Sequence, residues 1–238
     1  MAHVPPHQQT PPETVHLRPT AVLSERVLLP GDPGRALMLA QALLEQPRMF
    51  NHHRGLWGYT GAARDGKPLT IQATGMGGPS AAIVLHELIA LGARRAVRVG
   101  TCGALAPGIA LGEMVVAGEA IAADGTSQAL GAQERVAADP TLTRALMRAA
   151  PGAREGAVVS VDLFYEDGDP GAGRDAIAVE MEAAALFALG ARAGIAVGCV
   201  LVVSDTFDAR GERERIDDDA LLAAAERMGA AAIAALSD

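Results

Sequence analysis

The run AVGCVLVVSDT, residues 196–206, has no polar side chain until Ser204 and Asp205. A strand with no polar face must be covered on both sides, as in a parallel sheet held between helices. RVLL (26–29), RAVRVGTCGAL (95–105), EMVVAGEAIAADG (113–125) and AVVSVDLFY (157–165) also read as strands. Between them lie helical segments at 36–46, 80–91, 140–150 and 217–236, and AIAVEMEAAALFALGARAG (176–194) passes from strand into helix. LWGYTGAA and KPLTIQATG flank RDGK and read as a hairpin. The alternation predicts an α/β fold: a twisted mixed, largely parallel central sheet flanked by helices. No linker-like segment divides the 238 residues. One domain is expected over residues 16–238, behind a Pro-rich tail at 1–15 that contains His3 and His7.

Half of the chain is hydrophobic but only 3% is aromatic, so the core must be Ala, Val and Leu. The net charge of −8 argues against general nucleic-acid binding, which needs a basic footprint. Cys102 and Cys199 are isolated thiols in apolar stretches, which suits a reducing, cytoplasmic compartment rather than a disulfide scaffold. No uninterrupted apolar run reaches about 18 residues, so no transmembrane helix is expected. The N-terminus lacks the apolar stretch of a signal peptide.

Chemistry should sit at the carboxyl ends of the strands. There the chain carries PGDPGR, TGMGGPS, RVGTCG, VEMEA and VVSDT. Glycine-rich turns expose backbone N–H groups that can cradle an anion. Arg35 and Arg98 lie in or beside two of these turns, and a guanidinium fork suits phosphate. Arg98 falls inside an apolar strand, so it needs an anion: a ligand phosphate or an internal carboxylate. Glu180 and Glu182, two residues apart, could accept hydrogen bonds from vicinal sugar hydroxyls, or could complement a helix N-terminus. Asp205, at the end of an apolar strand, could serve as a general acid or as an N-cap. The glycines of 74–80 suggest close approach of a ligand to the backbone, with Ser80 capping the helix that follows. No spaced cluster of His with Cys or carboxylates suggests a metal.

Taken in order, LLPGDPGRA, HRGLWGYTG, TGMGGPSAAI, RVGTCGAL, VEMEAAALF and VVSD resemble the nucleoside phosphorylase family, most closely its bacterial hexameric, purine-specific branch. The resemblance runs from about residue 16 to the end. It implies reversible phosphorolysis of a purine nucleoside to free base and pentose 1-phosphate, with inorganic phosphate as co-substrate and no cofactor. It implies that Gly31, Arg35, Arg98 and Thr101 hold phosphate, and that Arg54 reaches the phosphate of a neighbouring subunit. His16 would touch the neighbour's sugar. Met76, Glu180, Met181 and Glu182 would line the ribose, and Phe164, Val179 and Ser204 would border the nucleoside. Asp205 would protonate the leaving base, assisted by Arg213 or Arg215, with the spacing favouring Arg213. The resemblance also implies a hexamer built as a trimer of dimers that share their sites. Uridine phosphorylases, water-using nucleosidases and an inactive nucleoside-binding protein are the alternatives. The missing Gln and Arg after Phe164–Tyr165, the two arginines, and the intact Asp205 and Glu182 weigh against them in turn.

Overall fold

β1 (Arg26–Leu29) is buried along its whole length in the computed structural model of the chain, which describes residues 14–165, 175–207 and 212–237. A Pro30–Gly31 turn leads to α1 (Pro33–Leu43), whose N-cap Asp32 accepts the Arg35 backbone N–H at 2.6 Å. The sequence reading carried this helix on to Gln46. Instead β2 (Leu44–Asn51) begins at the next residue, because a proline at 47 would drive its ring into the carbonyl of Leu43 were the helix continued. β3 (Gly58–Ala63) and β4 (Pro68–Gln72) form the expected antiparallel hairpin. α2 (Gly78–Leu91) follows and is closed by Gly92 in the left-handed region.

The rest of the chain supplies β5 (Arg95–Ala104), β6 (Met114–Ala123), α3 (Gly125–Ala129), β7 (Arg135–Ala137), α4 (Pro140–Ala149), β8 (Arg154–Val161), β9 (Ala178–Glu180), α5 (Ala183–Ala193), β10 (Ala196–Phe207), β11 (Arg213–Arg215) and α6 (Asp218–Ser237). The sequence reading missed α3, β7 and β11, which are too short to show a period.

β4, β1, β5 and β10 run parallel side by side. β10 then pairs antiparallel with β6, β6 and β8 pair parallel, and β8 pairs parallel with β9. β9 returns antiparallel to β5. Five strands therefore close on themselves, and β1, β4, β3 and β2 extend from the ring as an open sheet. Closure brings the C-terminal parts of β5, β9 and β10 together at one rim.

Helices cover both faces. Val97, Val99, Val200 and Val202 face a core shared with α1, α4 and α6. Ala96, Cys102, Cys199 and Leu201 face the other core, shared with α2 and α5. Alternation along β5 therefore turns Arg98, Gly100 and Cys102 toward the side where α2 and α5 begin. Each buried Val or Leu contributes about 1.5–3 kcal/mol, which suits the nearly aromatic-free core that composition implied.

α6 and the N-terminal segment bear on two further expectations. α6, 20 residues long with a mean hydropathy of 1.4, meets the length and composition of a membrane-crossing helix. Glu226 and Arg227 interrupt its apolar run. Its Ala225, Met228, Ala232 and Leu236 are buried in the core against α1 and α4. Of the proposed tail, residues 1–13, with His3 and His7, lie outside the described residues. Val15, His16 and Leu17 are tied to α2, their backbone N–H groups donating to the Glu87 carboxylate at 2.7–3.2 Å.

Candidate active site

Arg98 is buried, its side chain only 4% exposed. Its Nε donates to Glu180 Oε2 at 2.9 Å, and its Nη2 pairs with Glu182 Oε2. Burial opposes the charge on Arg98, but Glu182 and Glu180 outweigh it and hold the guanidinium above its usual pKa. Nη1 is buried with no partner among the described residues. Nε and Nη2 form one edge of the planar fork, so Nη1 lies on the opposite edge. The anion demanded by the sequence is thus an internal pair of carboxylates for two nitrogens, with one nitrogen left over.

The guanidinium lies against Gly100. A Cβ there would stand 2.8 Å from Arg98 Cζ and Nη2. The glycine two residues after Arg98 makes room for the arginine itself, a signal that was readable in RVG.

Glu180 departs from its expected role. Its side chain has no exposure. Its carboxylate accepts Arg98 Nε, the backbone N–H groups of Glu182 and Ala183 at 2.9 Å, and the Ser160 hydroxyl. With its lone pairs engaged inside the chain, Glu180 cannot take sugar hydroxyls; it caps α5 and holds Arg98. Glu182 is the carboxylate that remains for a ligand. It accepts the Gly77 N–H at 2.6 Å. Burial raises its pKa, opposed by Arg98.

The Gly-rich loop between β4 and α2 closes over this group. Gly75 and Gly77 both have positive φ, at 74° and 83°. A Cβ on Gly75 would come within 2.5 Å of Ser80 Oγ. Ser80 is no cap: α2 begins at Gly78, and the Ser80 hydroxyl donates to the Thr74 carbonyl at 2.6 Å, bracing the loop from behind. Gly31 lies beside this loop, since a Cβ on it would stand 3.2 Å from the Gly75 carbonyl. Arg35, in the first turn of α1, feels the charge of Arg98. Burial pushes its pKa down, Asp32 pushes back, and Arg98 lowers it further.

Across the rim, register aligns Val179 on β9, Gly103 on β5, Asp205 on β10 and Arg215 on β11 in one row. Asp205 is buried and accepts the Ser204 hydroxyl at 2.6 Å and Arg213 Nε at 2.7 Å. Geometry thus pairs Arg213, rather than Arg215, with Asp205. The Arg213 guanidinium carbon also lies 4.9 Å from the Phe164 ring centroid. Phe164 and Phe207 are each about half exposed, and Met76 is 86% exposed. Phe207, missed in the sequence, pairs across the strands with Arg213 and borders Gly103. A cleft of about 490 Å³ beside β11, lined by Leu111, Arg215, Ile216 and Arg227 among others, shares only Arg215 with this row and holds neither Asp205 nor Arg213. Thr101 and Met181 are half-buried on β5 and at the start of α5.

His16 and Arg54 stand apart from this rim. His16 Nδ1 contacts Glu87 Oε1 at 2.8 Å, and its side chain is partly exposed. Arg54 is exposed, with φ 58° and ψ 20° in a short 3₁₀ turn. A non-glycine residue held there signals local strain.

The family model of the phosphorylase superfamily matches residues 25–237. A DeoD-type purine nucleoside phosphorylase of Caldanaerobacter subterraneus is 37% identical over 200 residues, 77% of this chain and 84% of the relative. One from Geobacillus kaustophilus is 39% identical over 199 residues, covering 78% and 83%. One from Clostridium beijerinckii is 36% identical over 208 residues, covering 82% and 86%.

Proposed function

The chain belongs to the phosphorylase superfamily, and on that premise we propose that it is a purine nucleoside phosphorylase, a pentosyltransferase that cleaves purine nucleosides with inorganic phosphate. The observation that carries the phosphate half of this reading is the unpartnered Arg98 Nη1, buried near Arg35. An orphaned charged donor costs free energy unless a ligand completes it. A phosphate oxygen meets that need where water-using chemistry has none. The relatives named above, all purine nucleoside phosphorylases, support the purine half.

In this reading Gly31, Arg35, Arg98 and Thr101 bind phosphate beneath the sugar. Glu182 accepts the vicinal hydroxyls, with Met76 and Met181 against the sugar's apolar face. Phosphate attacks the anomeric carbon as the glycosidic bond breaks and its electron pair passes to the base. The phosphate anion stabilises the cationic character of the sugar. Asp205 delivers a proton to the imidazole nitrogen of the leaving purine, and Arg213 orients it. Phe164, Phe207, Val179 and Ser204 enclose the base. No cofactor takes part.

The exposed, strained Arg54 and the partly exposed His16 support a site completed by a second copy, in dimers assembled three to a hexamer. Residues 16–238 act as one catalytic unit, and the two buried free thiols suit a cytoplasmic setting.

The test is release of free base from inosine with and without phosphate. Phosphate-dependent release is expected. Release without phosphate makes the protein a hydrolase, release from uridine alone makes it a pyrimidine enzyme, and no release with either leaves only a binding protein.

A further inference from the structure

We propose that Ser160 is a positioning residue for the oxyanion, acting through Glu180 to aim Arg98. Ser160 is the one polar side chain inside the apolar stretch AVVSV of β8, and it is fully buried. Its single hydroxyl proton is committed to Glu180 Oε1, and its lone pair accepts the Ala184 N–H at 2.9 Å. The same hydroxyl thus fixes both the Glu180 carboxylate and the first turn of α5. Glu180 Oε2, turned the other way, takes Arg98 Nε. Guanidinium nitrogens are coplanar, so holding Nε by Glu180 and Nη2 by Glu182 leaves one direction for Nη1. Gly100 lies against the guanidinium, where a Cβ would stand 2.8 Å from Cζ and Nη2.

The chain Ser160–Glu180–Arg98 spans β8, the end of β9 and β5, three strands of the closed ring. Its three members are all buried, and neither Ser160 nor Glu180 has any surface to offer a ligand. Their effect on an oxyanion passes through Arg98 alone. Glu182 is held by Gly77 as well as by Arg98 and keeps its own anchor if Ser160 is lost. Loss of the Ser160 hydroxyl therefore weakens phosphate more than nucleoside. This inference rests on the phosphate reading of Arg98.

Calorimetric titration with inorganic phosphate, in the wild-type protein and in S160A, tests it. S160A should bind phosphate about tenfold more weakly, the order seen when a hydrogen bond orienting a ligating group is removed. The KM for inosine at saturating phosphate should change less than the phosphate Kd. Equal phosphate affinity in S160A and wild type overturns the inference, as does an equal rise in phosphate Kd and inosine KM, which marks general loosening. If S160A does not fold, S160C takes its place. Its thiol fills the volume but donates weakly, and undiminished phosphate binding there also overturns the proposal. Wild-type protein that binds no phosphate defeats it outright. Wild-type protein that binds phosphate but cleaves inosine without it removes phosphorolysis, while the comparison of Kd values still decides the role of Ser160.

Discussion

The two ends of the candidate site are built in different ways. At the phosphate and sugar end, Arg98, Glu180 and Ser160 lie in the core, nearly every polar atom is paired, and Gly100 is packed against the guanidinium. At the base end, Phe164 and Phe207 are each about half exposed, and Arg213 bridges Asp205 to Phe164 on the surface strand β11. The difference teaches a division of labour. In the proposed reading, Arg98 and Glu182, which would meet the part of the substrate common to all nucleosides, are held by the core and cannot move without unfolding cost. Phe164 and Phe207, which would meet the variable base, sit on the rim, where change costs little stability.

If that division is real, substitutions at the first end should damage stability and phosphate use together. Arg98→Ala should do so most. It leaves Glu180 and Glu182 buried without their counter-charge, a loss of about 3–5 kcal/mol, and phosphate dependence should fade. Denaturant midpoints and phosphate titrations measure both; a stable variant with normal phosphate KM would erase the contrast. Asp205→Asn comes next in effect and belongs to the other end. It should slow inosine phosphorolysis about 10²–10⁴-fold while leaving the melting temperature nearly unchanged. A nucleoside whose base leaves without protonation should be spared, and equal losses on both substrates would remove the acid role.

Gly100→Ala sharpens the comparison from within the sheet. The added methyl meets Arg98 Cζ and Nη2 at 2.8 Å, so overpacking of about 1–3 kcal/mol is expected. Phosphate KM should rise with it, and calorimetry that finds neither change would deny the packing argument. Acidification separates the ends again. Glu182 has its pKa raised above the ordinary 4.5, chiefly by burial, with Arg98 opposing. Between 4.5 and that raised value the folded protein holds a proton on Glu182 that the unfolded chain has lost. This group's contribution to stability falls as pH rises through that window. Function runs the other way: below the raised pKa Glu182 cannot accept both hydroxyls, and nucleoside KM should climb. An acid limb that persists unaltered in E182Q would assign it to another group. The smallest effects belong to Phe164→Ala and Phe207→Ala, each worth about 0.5–1.5 kcal/mol of aromatic contact. They should appear in nucleoside KM with unchanged phosphate KM and stability.

Much of this was legible in the chain. The wholly apolar strands demanded two covering layers, and the helices 78–91, 140–149 and 183–193 lie where their periodicity puts them. Arg98, charged in the middle of such a strand, announced a buried anion. The helix overrun at Gln46 came from reading apolar spacing past a nearby proline. Ser160 could have been singled out as a lone hydroxyl in a run of valines, but nothing local names its partner 20 residues away. Glu180 and Glu182 look alike in VEME, and no periodicity says which is saturated.

The order of apolar and polar residues therefore determined the layers, the strand ends that bear chemistry and the residue types available there. Only the tertiary structure decided that the sheet closes through β9 and β5, that Glu180 spends its lone pairs on Arg98, Ser160 and α5, and that Arg213 rather than Arg215 meets Asp205. The reason is physical: hydrophobic pattern is set by near neighbours along the chain, whereas the pairing of a buried charge depends on which distant backbone brings the complementary group within about 3 Å.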